Sequence, residues 1–180
     1  MLKRILLWSV ASVLMTATLL ASAQMSSKRE NDLLPVPSGQ VILKVTGNID
    51  HPNVGDELWL DRAMLNSLEG RTLVTDTPWH RKANVFKGPL LRSVLNAAGI
   101  ESDYVVIHAL NGFAAEIPVT DIDHYDVILA MTSNGEPMAI RDFGPLFVLY
   151  PFDEYPELNN NEAIRFRSVW QVDSIEVPAP

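Results

Sequence analysis

The chain contains no cysteine. That absence excludes disulfides, thiol nucleophiles, zinc–thiolate sites and iron–sulfur clusters, and it leaves stability to packing and hydrogen bonding alone. Histidine is sparse as well. The four of them, His51, His80, His108 and His124, are too scattered for a metal-ligand spacing. Positive charge is scarce, with 14 Lys and Arg against 22 Asp and Glu and a formal net charge of −8. Such a balance argues against nucleic acid and against anionic membrane surfaces as partners. Long apolar runs are absent except for one, Ile5–Leu20. It follows Lys3-Arg4 and precedes Ala21-Ser22-Ala23, the pattern of a secretory signal peptide cut after Ala23. The run falls short of the roughly 20 residues that a membrane span needs. Its n-region carries no twin-arginine signal, so the chain is expected to reach the periplasm unfolded. With no cysteine behind the run, a lipoprotein anchor is excluded.

The expected organisation is a signal peptide (1–23), an extended polar and Pro-punctuated arm (24–38) and one domain (39–180). Val41, Leu43 and Val45 alternate as in a half-buried strand. Asp61 is a plausible N-cap for a helix over Arg62–Leu68, closed by Gly70. Residues 71–77 read as a strand ending at Pro78. Pro89 suits the first turn of the best-marked helix, whose face is Leu90, Leu91, Val94, Leu95 and Ala98 and whose end is Gly99. The second half is mainly β. Two Asn-Gly pairs, Asn111-Gly112 and Asn134-Gly135, predict hairpins, with Asn111 as the left-handed residue of its turn. Residues 145–151 and 168–177 read as further strands, and 152–164 as a surface excursion. His108, in an apolar strand, is expected to be a hydrogen-bonded core residue. The fold class is mixed α+β.

One stretch stands apart: PWHRKANVFKG, residues 78–88, reads as a loop that crowds Trp79, His80, Arg81 and Asn84 before the helix. Loops on a rigid scaffold commonly carry function. No G-x-S-x-G elbow or Ser/His/Asp order accompanies it. Asp121, Asp123 and Asp126 lack the Gly and distal Glu of an EF-hand loop. Lys82 and Lys87 read as solvated charges.

The spacing Phe86-x-Gly88-x-Leu90-Leu91-x-x-x-Leu95-x-x-Ala98-Gly99 resembles the opening phrase of the oxidoreductase molybdopterin-binding domain, the sulfite oxidase fold. Asn111-Gly112-Phe113 with Ile117-Pro118, Leu129-Ala130 with Asn134-Gly135-Glu136-Pro137-Met138, and Gly144-Pro145-Leu146 with Pro151 and Val169-Trp170 are similar to its later phrases. The resemblance implies a sulfite-oxidase-like fold of mixed sheets and short helices. It also implies a departure: catalytic members of that family hold molybdenum through a cysteine thiolate, and they receive a cofactor assembled in the cytoplasm. The missing cysteine and the expected unfolded export both count against a molybdenum cofactor.

What the resemblance leaves is the pterin, a flat polar ring with a 4-oxo acceptor and a 2-amino/N3–H donor edge. Such a ring needs an aromatic face and hydrogen-bonding partners for its polar edges. The expected pterin-binding residues are Trp79, His80, Arg81, Asn84, Asn111, Arg141, Tyr150 and Asp153. By the same resemblance, the chain is expected to be a non-catalytic sensory component. Its implied partner is the periplasmic domain of a membrane signalling protein of the cyclic di-GMP type. The alternative is a molybdopterin-dependent oxidoreductase that holds its cofactor without a cysteine ligand.

Overall fold

The computed structural model describes residues 33–179; the expected signal peptide and residues 24–32 of the expected arm lie outside the described residues. The architecture is α+β. Strand β1 (Val41–Gly47) buries Leu43 and Val45 and exposes Lys44, the alternation that its sequence predicts. After β2 (Leu58–Asp61), helix α1 (Arg62–Ser67) starts at Asp61, whose carboxylate accepts from the Met64 N–H at 2.9 Å. The same carboxylate accepts from the Ser38 and Gly39 N–H groups and so ties the incoming chain to the helix start. Accepting from Met64 and Gly39 holds this carboxyl below the usual Asp range.

Strands β3 (Gly70–Thr77) and β4 (His80–Pro89) form a long antiparallel hairpin that leads into helix α2 (Leu91–Ala98). Strands β5 (Tyr104–Ala109) and β6 (Ala114–Pro118) form the next hairpin, followed by helix α3 (Val119–Tyr125). The short strands β7 (Ile128–Ala130), β8 (Thr132–Ser133), β9 (Glu136–Pro137) and β10 (Phe147–Leu149) come next. Helix α4 (Glu162–Arg167) and strand β11 (Val172–Val177) complete the order.

Three sheets result. The five-stranded sheet runs β2-β1-β11-β5-β6, with the parallel β1–β11 pair joining the two ends of the domain. The four-stranded sheet runs β3-β4-β8-β9, and β7 pairs with β10. Helix α2 buries Leu91, Val94, Leu95 and Ala98. A fully buried leucine contributes about 2 kcal/mol relative to an exposed one.

Several expectations are corrected. The polar stretch 80–88 is strand β4 and not a loop, because every residue from His80 to Pro89 belongs to a strand paired along β3. Gly70 opens β3 instead of closing α1, which ends at Leu68 through its N–H bond to Leu65. Pro89 ends β4, and Leu90 is the N-cap of α2. In the first Asn-Gly turn the left-handed residue is Gly112 (φ 83°) and not Asn111, whose side chain accepts instead from the Phe113 N–H. His108 is hydrogen-bonded as expected but is not in the core: its ring is part-exposed, with Nε2 3.1 Å from the Glu176 carboxylate. Residues 152–164 are anchored, since Phe152, Leu158 and Ile164 are buried. The acidic run around His124 is spent on arginines: Asp121 pairs with Arg167, and Asp123 and Asp126 pair with Arg92.

Strand β4 packs against β7 as closely as backbone allows. A Cβ on Gly88 would stand 1.8 Å from the Leu129 carbonyl oxygen and 3.0 Å from the Ala130 Cα. This approach explains the glycine in the Phe86-x-Gly88 phrase. Gly88→Ala is expected to destabilise the domain by about 1–3 kcal/mol, the range of overpacking, read as a lowered midpoint in urea unfolding. An unchanged midpoint would refute the close-approach role.

Candidate functional site

The turn between β3 and β4 is Pro78-Trp79, and one hydroxyl holds it. Thr77, buried, accepts from the Trp79 N–H at 3.2 Å and the His80 N–H at 3.1 Å, and its Oγ1 lies 2.7 Å from His80 Nδ1. With both lone pairs engaged, the hydroxyl proton is directed to Nδ1, which makes that nitrogen the acceptor and leaves the proton of the neutral ring on Nε2. Burial pushes the His80 pKa down, in keeping with a neutral ring. His80 packs edge-on to Phe86 and tilted against Phe143, at centroid distances of 5.5 and 5.0 Å.

The turn delivers Trp79 into an aromatic cluster. Its ring centroid lies 5.4 Å from Trp170, 5.8 Å from Phe147, 6.3 Å from Phe152 and 6.4 Å from Phe143. Two residues in left-handed backbone flank this cluster, Phe143 (φ 70°) and Gln171 (φ 58°). The Gln171 N–H donates to the Phe143 carbonyl, and its side-chain amide donates to the Ile140 carbonyl. Non-glycine residues hold such backbone only where their surroundings over-determine it. Here the two bonds fix the approach to Trp170.

Beside the cluster lies a cavity of about 440 Å³, within the size range of small-molecule sites. Its aromatic lining is Trp79, Trp170, Phe113 and Phe166, and its polar lining includes Asn111, Glu162 and Arg165. Phe113 and Phe166, 37% and 58% exposed, meet edge-to-face at 4.9 Å although they come from the β5–β6 turn and from α4. The Asn111 side-chain oxygen is occupied by the Phe113 N–H, so its amide NH2 is the group left to donate. The Arg165 guanidinium donates to the Asn159 carbonyl at 2.9 Å. A flat ring can stack on the indoles here, and donors and an acceptor are present for its edges. Among the described residues no group of three or more His, Asp or Glu side chains comes together to hold a metal ion.

The structure brings together two of the residues singled out from sequence, Trp79 and Asn111, on this cavity. It disperses others. His80 belongs to the aromatic layer behind the turn. Asn84 accepts from the Asn134 side-chain amide at 2.8 Å and so joins β4 to the second Asn-Gly turn. Arg141 extends into solvent beside Asp142, its side chain 88% exposed. Tyr150 is fully buried, its hydroxyl 3.5 Å from Asp121, and burial raises its pKa well above the usual tyrosine value. Asp153 is bonded to β3 rather than to the cavity. Arg81 lies on β4.

Phe113, Glu162, Arg165, Phe166 and Trp170 are lining residues that carried no site expectation. The N-cap pattern Asn161-Glu162 ahead of Ile164 was the available signal for α4: the Asn161 side chain accepts from the Ala163 and Ile164 N–H groups.

Residues 61–152, just over half the chain, match the family model described as the oxidoreductase molybdopterin binding domain. The chain is 30% identical over 112 residues to the uncharacterized oxidoreductase YuiH of Bacillus subtilis (strain 168), covering 61% of this chain and 56% of that protein. Among solved structures it is similar to the sulfane dehydrogenase SoxCD from Paracoccus pantotrophus, with a TM-score of 0.57 and 14% identity over 81% of this chain and 40% of that one. The second likeness is one of fold. The chain spans about half the length of these proteins, or less.

The segment that carries Phe152 under Trp79 is clasped to β3. The Asp153 N–H donates to the buried Thr75 hydroxyl at 3.1 Å, and its carboxylate accepts from the Asp76 N–H at 3.2 Å. Arg71 adds an ion pair with Glu154 at 3.0 Å. The hydrogen bond between the two carboxyls, with partial burial and the Asp153 charge behind it, raises the Asp76 pKa. A carboxyl raised on folding stabilises most below its ordinary pKa, and that contribution is lost as the pH climbs through the raised value. Asp76→Asn, which keeps a donor towards Asp153, is therefore expected to raise the melting temperature at neutral pH but not at about pH 3, below the ordinary Asp value. An equal gain at both pH values would refute the shared proton.

Proposed function

Because the chain belongs to the oxidoreductase molybdopterin binding domain family, we propose that its cavity holds a pterin-type ring and that the protein works as a binding module without redox catalysis. The observation that carries this reading is the cavity itself. Its indole and phenyl lining is suited to stacking a flat heteroaromatic, and Asn111, Arg165 and Glu162 offer donors and an acceptor for polar edges. The thiolate that holds molybdenum in the catalytic proteins this chain resembles is missing. The polar side chains around the cavity offer oxygen and nitrogen, and a chain without cysteine has no thiolate to ligate molybdenum. The pterin half fits without it.

The apolar run with its Lys3-Arg4 start and Ala21-Ser22-Ala23 end supports export to the periplasm. There the protein reports pterin availability to the periplasmic domain of a membrane signalling protein. The signal is a population shift, in which the bound ring favours the partner-competent state by its differential affinity for the two states.

Titration of the purified protein with reduced and oxidised pterins, followed by the fluorescence of Trp79 and Trp170, is expected to give a saturable change. Phe166→Ala, which removes an exposed lining ring, is expected to weaken binding by about tenfold, stacking and its buried area together supplying a little over 1 kcal/mol. The absence of any saturable response would sink the reading. So would stoichiometric molybdenum in protein purified from the periplasm.

A further inference from the structure

The charges around the cavity are arranged in an unusual way for a helix. Glu162 and Arg165 are three residues apart on α4, a spacing that normally pairs opposite charges. Here they do not pair. Arg165 is drawn to the Asn159 carbonyl, and Arg167, the other cation of the helix, is taken by Asp121 at 2.7 Å. Nor is Glu162 used in capping, because the Asn161 side chain already serves the Ala163 and Ile164 N–H groups. Among the described residues no cation pairs with the Glu162 carboxylate. A carboxylate is acceptor-only when ionised, and this one lines a cavity whose other walls are largely aromatic.

The remaining polar groups are of opposite kind. Asn111 has its oxygen occupied and an NH2 to offer, and Arg165 retains N–H groups beyond the one it gives to Asn159. The cavity therefore presents donors from Asn111 and Arg165 and a charged acceptor from Glu162. We propose that Glu162 is the specificity-determining acceptor of this cavity, and that it selects rings with an amidine-like donor edge, a 2-amino group beside N3–H, over their 2-oxo counterparts. The inference rests on the pterin reading of the cavity and goes beyond it by naming which edge of the ring is read, and by what.

The chemistry behind the selection is simple. An amino group next to a ring N–H gives two parallel donors, which match the two oxygens of one carboxylate in a bidentate, charge-assisted pair. Replacing that amino group by an oxo group keeps the N3–H donor but sets an acceptor against the second carboxylate oxygen, which is left unpaired.

Calorimetric titration of the full chain with pterin and with lumazine, its 2,4-dioxo analogue, tests the assignment. The wild-type protein is expected to bind pterin at least about tenfold more tightly than lumazine. Glu162→Gln is expected to lose about tenfold in pterin affinity and none for lumazine, so that the preference collapses. Equal affinity of the wild type for the two rings, or a preference that persists in Glu162→Gln, would overturn the role of Glu162 while leaving the pocket assignment intact. Binding of neither ring would overturn the pocket assignment, and this inference with it.

Discussion

Trp79 is required by the core and by the cavity at once. It packs against Phe143, Phe147, Phe152 and Trp170, and it also forms part of the cavity lining. A ring on a two-residue turn would ordinarily sample several rotamers. The Thr77 hydroxyl removes that freedom from the backbone by taking two successive N–H groups, and the surrounding rings remove it from the side chain. Much of the ordering cost of a stacking surface is thereby met on folding and need not be met on binding, which is the sense in which a site is preorganised. The neutral His80 belongs to the same arrangement. Its ring fills the layer behind the turn, where a charged imidazolium would be poorly solvated.

The position of that turn depends in turn on how the sheets meet. Strand β4 serves three neighbours: it pairs with β3 and β8 in its own sheet and lies over β7 at Gly88, where no side chain separates the backbones. Met131 then donates its N–H to the Lys87 carbonyl as the chain passes from β7 to β8. The hairpin is gripped near its base by this approach and near its tip by the Asp153–Thr75 and Asp76–Asp153 bonds. A long two-stranded hairpin is marginal by itself. Held at both ends, it becomes a fixed arm that can aim an aromatic ring.

The strands with strict alternation, the helix with a 3.6-residue face and the Asn-Gly hairpins were legible because each depends on local pattern. Strand β4 was not, because His80, Lys82 and Asn84 interrupt any apolar alternation and its pairing is determined by β3 across the turn. Of the residues singled out from sequence, Trp79 and Asn111 are the two that line the cavity, the first as an aromatic at a Pro-marked turn and the second in its family phrase. Tyr150 and Arg141 show the limit of that approach. Tyr150 follows strand β10 and faces inwards to Asp121, whereas Arg141 lies in a 3-10 turn, Ile140–Asp142, and faces outwards to water. Which way a side chain turns at such a position is decided by what packs there. Glu162, Arg165 and Phe166 were hidden for a different reason. They lie on a six-residue helix within an acidic, Asn-rich stretch, too short to show a period and far in sequence from the turn they face.

The distribution of charge links the fold to its chemistry. This chain is strongly acidic, yet its arginines are spent with care: Arg71, Arg92 and Arg167 each hold a carboxylate that ties one element to another. Exposed pairs of this sort contribute little one by one, so their value lies in placement more than in energy. Arg167 docks α4 on α3 through Asp121, and that docking turns the opposite residues of the same short helix, Glu162, Arg165 and Phe166, towards the cavity. The absence of cysteine then sets what the cavity can ask of a ligand. Stacking and edge hydrogen bonds draw only on side chains that line the cavity, Trp79, Trp170, Asn111, Glu162 and Arg165 among them.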